Sequence, residues 1–295
     1  MWMKGCVPLA ETIYDLYAAT RKLLKSEGIS MPDLEARELI AAATGTDKTR
    51  TADWGHRWID EPTKERANDL CRRRLDGEPL AYLLGEWDFF GLTFKVTPDV
   101  LIPRPDTERL CELAIEKTRT VVNPRVLDLC AGTGCIGLTI AHEVNDARAV
   151  LMDISDAALS VERENARRLG VQDRTIVMRG DALKPPVNGL GAFHVMTCNP
   201  PYITGEEMAA LDRSVAAYEP HLALYGGADG LDFYRAIAKN GWLDLLLPGA
   251  HVYFECGYRQ YAQVAAILEE TNRGCVRVEE DTFGVQRIVV LELWK

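Results

Sequence analysis

The 295-residue sequence has no uninterrupted run of the roughly 18 apolar residues that a membrane-spanning helix requires. Its first residues, Met1-Trp2-Met3-Lys4-Gly5-Cys6, lead into a mixed segment rather than into the apolar core of a signal peptide. Histidine is scarce, with five residues, and none of them has the spacing of a metal site. These absences predict a cytoplasmic protein that neither spans a membrane nor binds a metal.

Paired cysteine motifs and excess positive charge are also missing. No two of the eight cysteines have the two-residue gap of a zinc knuckle or redox motif, so we expect free thiols and no disulfides. The net charge is −10, whereas a protein that neutralises many phosphates is usually basic, at least locally. The basic cluster Arg72-Arg73-Arg74 is better explained by a solvated helix face. The charge balance therefore disfavours nucleic acid as the main substrate without excluding it.

The N-terminal part of the chain has the pattern of a small helical bundle. Apolar residues recur at helical spacing in three runs between residue 10 and about residue 76. Proline begins the second and third runs and glycine ends them. Residues 1–84 are predicted to form this domain, with Trp54 and Trp58 in its core.

A β-hairpin is predicted to connect this domain to the next. Aromatic and β-branched residues surround Gly91, and the stiff segment Pro103-Arg104-Pro105 follows. We assign residues 85–102 to the hairpin connector and residues 103–295 to a second domain.

The second domain alternates helices with strands, which is typical of a doubly wound α/β sheet. The predicted strands are Arg125–Leu129, Ala149–Ile154, Thr175–Arg179, Phe193–Cys198, Ala250–Cys256, Val276–Glu279 and Ile288–Leu293. The last two are joined by a turn at Phe283-Gly284 that is too short for a crossover helix, so one of them pairs antiparallel. A mostly parallel, Rossmann-like, seven-stranded sheet that ends in an antiparallel hairpin is the arrangement of class I methyltransferases.

A glycine loop, Cys130-Ala131-Gly132-Thr133-Gly134, follows the first of these strands. Its glycines would let the backbone approach a ligand. Asp128 precedes the loop, Asp153 ends the next strand about 20 residues after Gly132, and Asp181-Ala182 follows the third strand. Each acid alone could cap a helix or turn. Acids at three successive strand ends beside a glycine loop instead favour a cofactor site.

The charge of these residues favours S-adenosylmethionine over a dinucleotide. A carboxylate near the loop would repel a pyrophosphate, whereas it would attract a sulfonium and an ammonium group. We expect Asp128 to accept a hydrogen bond from the ammonium, Asp153 to bind the ribose hydroxyls, and Asp181-Ala182 to contact the adenine. Asn199, at the end of the fourth strand, is expected to touch the cofactor as well.

The fourth strand runs into Asn199-Pro200-Pro201-Tyr202. An ordinary Asn-Pro turn would explain a break in the strand, but not an asparagine, two prolines and an aromatic residue in this order. An amide nitrogen is a poor nucleophile because its lone pair is delocalised. The Asn199 side-chain oxygen and the Pro200 carbonyl could accept its two N–H groups and stabilise the charge that develops. Tyr202 could offer a flat face to a planar substrate group held beside Pro201.

These residues resemble those of the protein-(glutamine-N5) methyltransferases that modify peptide chain release factors. Three further segments carry the likeness: residues 79–108 with Ile102-Pro103-Arg104-Pro105, residues 218–234 with Tyr218-Glu219-Pro220 and Gly226-Gly227-Ala228-Asp229-Gly230, and Phe254-Glu255-Cys256-Gly257-Tyr258. The resemblance implies transfer of a methyl group from S-adenosylmethionine to the glutamine of the Gly-Gly-Gln loop of class I release factors. It also implies that the N-terminal domain docks the factor.

Several points stay open at this stage. Cys130-Ala131 stand where the family often has Gly-Thr. Arg104 could contact the substrate or pair with Asp106 or Glu108, and Glu219 could bind substrate backbone or cap a helix. The methyl acceptor could instead be a ribosomal-protein glutamine or a nucleic-acid base. A non-catalytic RNA-binding module and a nicotinamide-dependent dehydrogenase remain as weaker alternatives.

Overall fold

A computed structural model describes residues 11–295, and the N-terminal segment that argues against a signal peptide lies outside the described residues. The chain divides into two compact units. The first contains the described residues up to Gly85 together with Arg213–Tyr218, and the second contains Glu86–Asp212 and Glu219–Lys295. Between residues 11 and 295, no helix is both long and apolar enough to cross a bilayer.

Helices and strands alternate through most of the described chain. The helices are α1 (Ile13–Ser26), α2 (Pro32–Thr44), α3 (Glu61–Leu75), α4 (Leu80–Leu84), α5 (Asp106–Thr118), α6 (Cys135–Glu143), α7 (Asp156–Arg168), α8 (Gly205–Met208), α9 (Arg213–Tyr218), α10 (Asp232–Lys239) and α11 (Tyr261–Glu269). The strands are β1 (Glu86–Phe89), β2 (Leu92–Lys95), β3 (Arg125–Leu129), β4 (Arg148–Asp153), β5 (Thr175–Arg179), β6 (Phe193–Cys198), β7 (Leu246–Glu255), β8 (Gly274–Glu280) and β9 (Gln286–Leu293). Short 3₁₀ turns occupy Thr51–His56, Gln172–Arg174, His221–Ala223 and Trp242–Leu245.

The helices of the first unit pack around an apolar core. Thr12 caps α1 by accepting from the Asp15 backbone N–H at 3.2 Å, and Gly45 ends α2 with φ +65°. Trp54 is buried in this core as predicted, but the prediction for Trp58 is wrong, because its side chain is 75% exposed. Trp58 lies in an extended segment that bridges Thr12, and this strand-like geometry turns its side chain outward.

The basic cluster on α3 is neutralised by nearby acids of the same unit. Each arginine forms at least one ion pair, and the partners are Asp69 and Asp76 for Arg72, Asp69 and Glu78 for Arg73, and Glu35 for Arg74. The Arg74 pair is the most buried of them, with Nε at 2.5 Å from Glu35 Oε2. The cluster is therefore a helix face in an ion-pair network rather than a free positive patch.

The first unit also includes α9, which the sequence prediction placed in the domain of residues 103–295. The Tyr218 hydroxyl donates to the Asp76 carbonyl oxygen at 3.3 Å. This tertiary hydrogen bond joins residues 142 positions apart, and no local sequence pattern reports it.

The sheet of the second unit has the predicted class I methyltransferase arrangement. Its strand order is β5-β4-β3-β6-β7-β9-β8. The first five strands are parallel, and β9 pairs antiparallel with both β7 and β8. Apolar side chains cover both faces, as expected for parallel strands buried between helices. The carboxyl ends of β3, β4, β5 and β6 consequently meet at one edge.

The hairpin of β1 and β2 belongs to this second unit. Phe90 and Gly91 form its turn with φ +53° and +73°, the left-handed conformation that two-residue hairpins require. The Asn165 side chain on α7 then accepts from Lys95 N at 2.7 Å and donates to Lys95 O at 3.1 Å. These two bonds attach the hairpin to α7.

Helix α7 buries a carboxyl group without a hydrogen-bond partner. Glu162 is fully buried, and neither side-chain oxygen has a partner among the described residues. Burial raises its pKa to about 9, and the nearby charges of Asp153 and Asp128 add to the effect. The folded state therefore retains a proton that the unfolded chain releases above its ordinary pKa of 4.5, so raising the pH through this window destabilises the fold.

We expect the free energy of unfolding to fall as pH rises from about 7 to 9, with a slope approaching 1.4 kcal/mol per pH unit. In Glu162→Gln this slope should largely disappear, because the variant has no titrating group at that position. Urea unfolding at several pH values measures it. The buried carboxyls of Asp128 and Glu255 titrate near pH 7 and so contribute mainly below the window. An unchanged slope in the variant would contradict this assignment.

Candidate active site

A cavity opens at the carboxyl edge of the sheet in the second unit. It encloses about 1120 Å³ of space, including the solvent at its mouth. Most of the predicted cofactor residues line it, namely Cys130, Ala131, Gly132, Thr133, Asp153, Asp181, Ala182 and Asn199. Position at the strand carboxyl ends is what a doubly wound sheet dictates for a ligand site.

The glycine loop has the left-handed backbone that its glycines suggest. Gly132 and Gly134 have φ +58° and +77°, and Cys130 has φ +57°. Cys130 thus adopts a glycine-like conformation at the position where glycine is often found in the resembling family. Gly134 is not on the cavity wall. A Cβ on it would lie 2.7 Å from a methyl group of Leu151, so its role is close packing at the start of α6.

Two of the predicted acids reach the cavity. Asp153 accepts from Gly132 N at 3.0 Å and from Ser155 N at 2.9 Å, and burial raises its pKa. Asp181 accepts from Leu183 N at 3.0 Å and has Lys184 Nζ at 3.3 Å. Both carboxyls therefore fix the backbone of neighbouring loops through hydrogen bonds, and both also line the cavity.

The third acid, Asp128, lies behind the loop. It is fully buried and does not line the cavity. Its two oxygens accept from Gly137 N at 2.9 Å and from Thr197 Oγ1 at 2.7 Å, while burial raises its pKa to about 7. The expectation of a direct contact with a ligand ammonium therefore does not match the geometry. Asp128 instead ties β3 to β6 and to the first turn of α6.

The segment Asn199-Pro200-Pro201-Tyr202, which we call the catalytic element, also has only some of its residues on the cavity wall. Asn199 and Pro201 line the cavity, whereas Pro200 and Tyr202 do not. The Tyr202 ring packs against the core, and burial raises the pKa of its hydroxyl. Its carbonyl oxygen accepts from Gln260 Nε2 at 3.0 Å. Tyr202 thus supports the backbone of the element in this structure and does not present a free ring face to the cavity.

The glycine motif at residues 226–230 packs directly on this element. A Cβ on Gly226 would lie 2.5 Å from the Pro201 carbonyl oxygen, and one on Gly230 would lie 2.2 Å from the Tyr202 carbonyl oxygen. Ile203 N also donates to Leu224 O at 2.9 Å. The glycines are needed because two backbone segments approach each other more closely than a side chain allows.

Arg104 lines the cavity and pairs with Glu219, with its guanidinium nitrogen 2.5 Å from Oε1. Glu219 is buried, and its Oε2 has no partner among the described residues. The alternative partners of Arg104 are engaged elsewhere. Glu108 accepts from Phe90 N at 2.8 Å, and Asp106 faces Arg287 at 3.7 Å. The ion pair links the proline-rich segment to the segment after Tyr218 within the second unit.

Two residues beside Asn199 were not predicted as site residues. Asn199 Nδ2 donates to Thr107 Oγ1 at 3.3 Å. Burial raises the pKa of the nearby Glu255 carboxyl, and the side chains of Thr107 and Asn199 lie close enough to it to oppose that rise. Its Oε2 makes no hydrogen bond within the described residues. Glu255 is nearly fully buried at the end of β7. An acid at the end of an apolar strand was the available signal, the same one that located Asp153.

Similarity to known proteins extends over almost the whole chain. A release factor glutamine methyltransferase of Clostridium botulinum is 34% identical over 275 residues, covering 93% of this chain and 97% of that protein. One of Cereibacter sphaeroides is 37% identical over 281 residues, covering 95% and 98%. The chain belongs to the release factor glutamine methyltransferase family.

Two segments of the chain match known domain families. Residues 15–85 match the PrmC N-terminal domain, and residues 110–227 match the methyltransferase small domain. Among solved structures, a methyltransferase from Pyrococcus furiosus is similar, with a TM-score of 0.50 and 16% identity over 75% of this chain and 96% of that one. That likeness concerns the fold alone. Within residues 11–295, no group of three or more His, Cys, Asp or Glu side chains is arranged to hold a metal ion.

Proposed function

We propose that this protein transfers a methyl group from S-adenosylmethionine to the side-chain nitrogen N5 of the glutamine in the Gly-Gly-Gln loop of class I peptide chain release factors. The observation that carries the proposal is the Asn199 amide on the wall of the cavity, next to the loop and acids of the strand ends. The similarity over nearly the full length of the named relatives supports the choice of substrate.

The residues of the cavity suit the cofactor. Asp153 and Asp181 present carboxylates at neighbouring strand ends, where ribose hydroxyls and an adenine amino group would find acceptors. The loop from Cys130 to Thr133 brings backbone close to the same space. S-adenosylmethionine supplies an activated methyl group on a positive sulfonium when it is bound. Asp128 would act through the loop, by holding α6 and β6 in place.

The chain's own contribution to the reaction is to hold the glutamine amide. We assign the Asn199 side-chain oxygen and the Pro200 carbonyl as acceptors for its two N–H groups. They would orient the nitrogen and stabilise the positive charge that grows on it during attack. Pro201 would shape the wall, and Tyr202 would stiffen the backbone from behind. Arg104, paired with Glu219, would border the path of the substrate loop.

The proposed division of labour extends to the domains. Residues 1–84 would dock the release factor, residues 85–102 would form the hairpin connector, and residues 103–295 would carry the reaction. In this proposal the partner is a cytoplasmic release factor, and the methyl acceptor is one of its side chains. The net charge of −10 disfavours direct binding of nucleic acid.

The substrate assignment is tested with labelled S-adenosylmethionine and purified release factors. We expect label to enter a factor with the native loop and to be absent from a factor whose loop glutamine is changed to alanine. Purified ribosomal proteins and a DNA duplex are the controls for other acceptors. Equal labelling of the native and glutamine-free factors would reject the proposed substrate.

A further inference from the structure

We propose that Glu255 and Thr107 are positioning residues that set which way the Asn199 amide faces. This inference rests on the proposed function only for its kinetic readout. The structural part of the inference concerns the Asn199 amide alone, whose oxygen accepts hydrogen bonds and whose NH₂ group donates them. If the amide nitrogen faced the cavity, Asn199 would offer donors to an incoming amide nitrogen and could not accept from it.

The backbone brings the three side chains together from three elements. Strands β6 and β7 are parallel neighbours, with Cys198 opposite Phe254. The residues that come next are Asn199, directly after β6, and Glu255, the last residue of β7. They are therefore expected to lie side by side. Thr107 lies in the first turn of α5 and is buried. Its Oγ1 lies 3.3 Å from Asn199 Nδ2.

The chemistry of the carboxylate determines the orientation of the amide. An ionised carboxylate can only accept hydrogen bonds, so the NH₂ end of Asn199 faces Glu255. The Thr107 hydroxyl accepts one Asn199 N–H at 3.3 Å, which leaves its own proton for Glu255, whose Oε2 has no hydrogen-bond partner among the described residues. The inference assigns the second Asn199 N–H to the same carboxylate, so that both N–H groups are satisfied inside the protein. The Asn199 oxygen is left to face the cavity with its lone pairs free.

The surroundings of Glu255 set the pH at which its carboxylate is present. Burial raises the pKa of the Glu255 carboxyl to about 7, while the Thr107 side chain and the charge of Arg287 on β9 lower it and Asp106 on α5 raises it. Tyr202 and Cys256 lie near enough for the Glu255 charge to raise their own pKa values. At about pH 8.5 Glu255 is ionised, so the assay is run there.

The experiment compares Glu255→Gln, Thr107→Val and Thr107→Ser in single-turnover methyl transfer to a release factor, with cofactor affinity measured by calorimetry. Glutamine can donate to the Asn199 oxygen, and valine removes the hydroxyl bridge. We expect Glu255→Gln and Thr107→Val to lose roughly tenfold or more in rate, with cofactor affinity within about twofold of the wild type. Thr107→Ser retains the hydroxyl and should restore most of the rate.

The chain offers matched controls. Glu162 is a fully buried carboxyl without a partner, and Thr139 is a fully buried threonine whose hydroxyl has none among the described residues. Glu162→Gln and Thr139→Val should transfer at the wild-type rate. Wild-type rates in Glu255→Gln and Thr107→Val would overturn the inference. So would a Thr107→Ser variant no faster than Thr107→Val, or an equal loss in the two controls.

A second measurement separates this inference from the proposed function. A crystal structure at better than about 1.2 Å resolution can distinguish nitrogen from oxygen in the Asn199 amide. We expect the nitrogen to face Glu255 in the wild type and this preference to be lost in Glu255→Gln. If the wild type does not methylate a release factor, the proposed function is wrong. The orientation of the Asn199 amide in the crystal still tests the inference about Glu255 and Thr107. A wild-type amide oxygen facing Glu255 would overturn it.

Discussion

Replacing Asn199 with alanine is expected to lower the rate of methyl transfer at saturating cofactor by about a hundred- to a thousandfold, the range seen when one preorganised polar group is removed from a reacting centre. The variant loses the side-chain acceptor that would hold the substrate amide at the cavity wall. The acids that face the cofactor space, Asp153 and Asp181, remain in place, so cofactor affinity should change only a few-fold. Stopped-flow or quench-flow transfer assays together with calorimetry measure both quantities.

Asn188→Ala is the matched control for this variant. Asn188 is exposed in the loop after β5 and does not line the cavity, so its loss should leave the rate unchanged. Undiminished transfer by Asn199→Ala would remove the proposed mechanism, whatever the substrate. A loss of cofactor binding as large as the loss of rate would assign Asn199 to the cofactor instead.

Gly226→Ala is expected to reduce transfer by about a hundredfold or more, although Gly226 carries no reactive group. The added Cβ would stand 2.5 Å from Pro201 O and 2.6 Å from Tyr202 Cα. Both are backbone atoms, so the catalytic element itself must move by the better part of an ångström. A displacement of that size at the reacting centre costs on the order of a hundredfold in rate. The same shift should lower the midpoint of thermal unfolding.

The control for this substitution is Gly205→Ala, in the segment that follows the same element. A Cβ there meets only a carbon of the Tyr225 ring at 3.9 Å, an ordinary contact, and Gly205 does not have a positive φ. We expect rate and stability within about twofold and 1 kcal/mol of the wild type, respectively. Wild-type transfer by Gly226→Ala, in protein that still binds cofactor, would show that close backbone packing does not position the element.

Local patterns in the sequence predicted the fold because the local preferences of its segments agree with the structure that they adopt. Alternating strands and helices, the short turn at Phe283-Gly284 and the glycine that ends α2 each report structure through neighbouring residues. The seven-stranded sheet follows from them and is confirmed. The exposed position of Trp58 does not, because its orientation depends on an isolated bridge to Thr12. The inclusion of α9 in the first unit depends on contacts over a still longer sequence separation.

The candidate site shows the same limit. Acids at strand ends could be located from the sequence, but whether each faces the cavity depends on what its oxygens bind. Asp153 lies on the wall, whereas Thr197 and the start of α6 bind both oxygens of Asp128 behind the loop. The sequence suggested the substrate, Asp106 or Glu108 as partners of Arg104, whereas the structure pairs it with Glu219, 115 residues away. Pairings over such distances are properties of the folded sheet and not of any segment.

The central claim is tested most directly by locating the methyl group on the product. After reaction with S-adenosylmethionine, a class I release factor is digested and the peptide that contains its Gly-Gly-Gln loop is sequenced by tandem mass spectrometry. We predict the mass of one added methyl group on the glutamine residue, released as methylamine on acid hydrolysis. Over the initial period of the wild-type reaction, Asn199→Ala should form about a hundred- to a thousandfold less of this product. A methyl group on any other residue, or on the same glutamine at an equal rate with Asn199→Ala, would contradict the account.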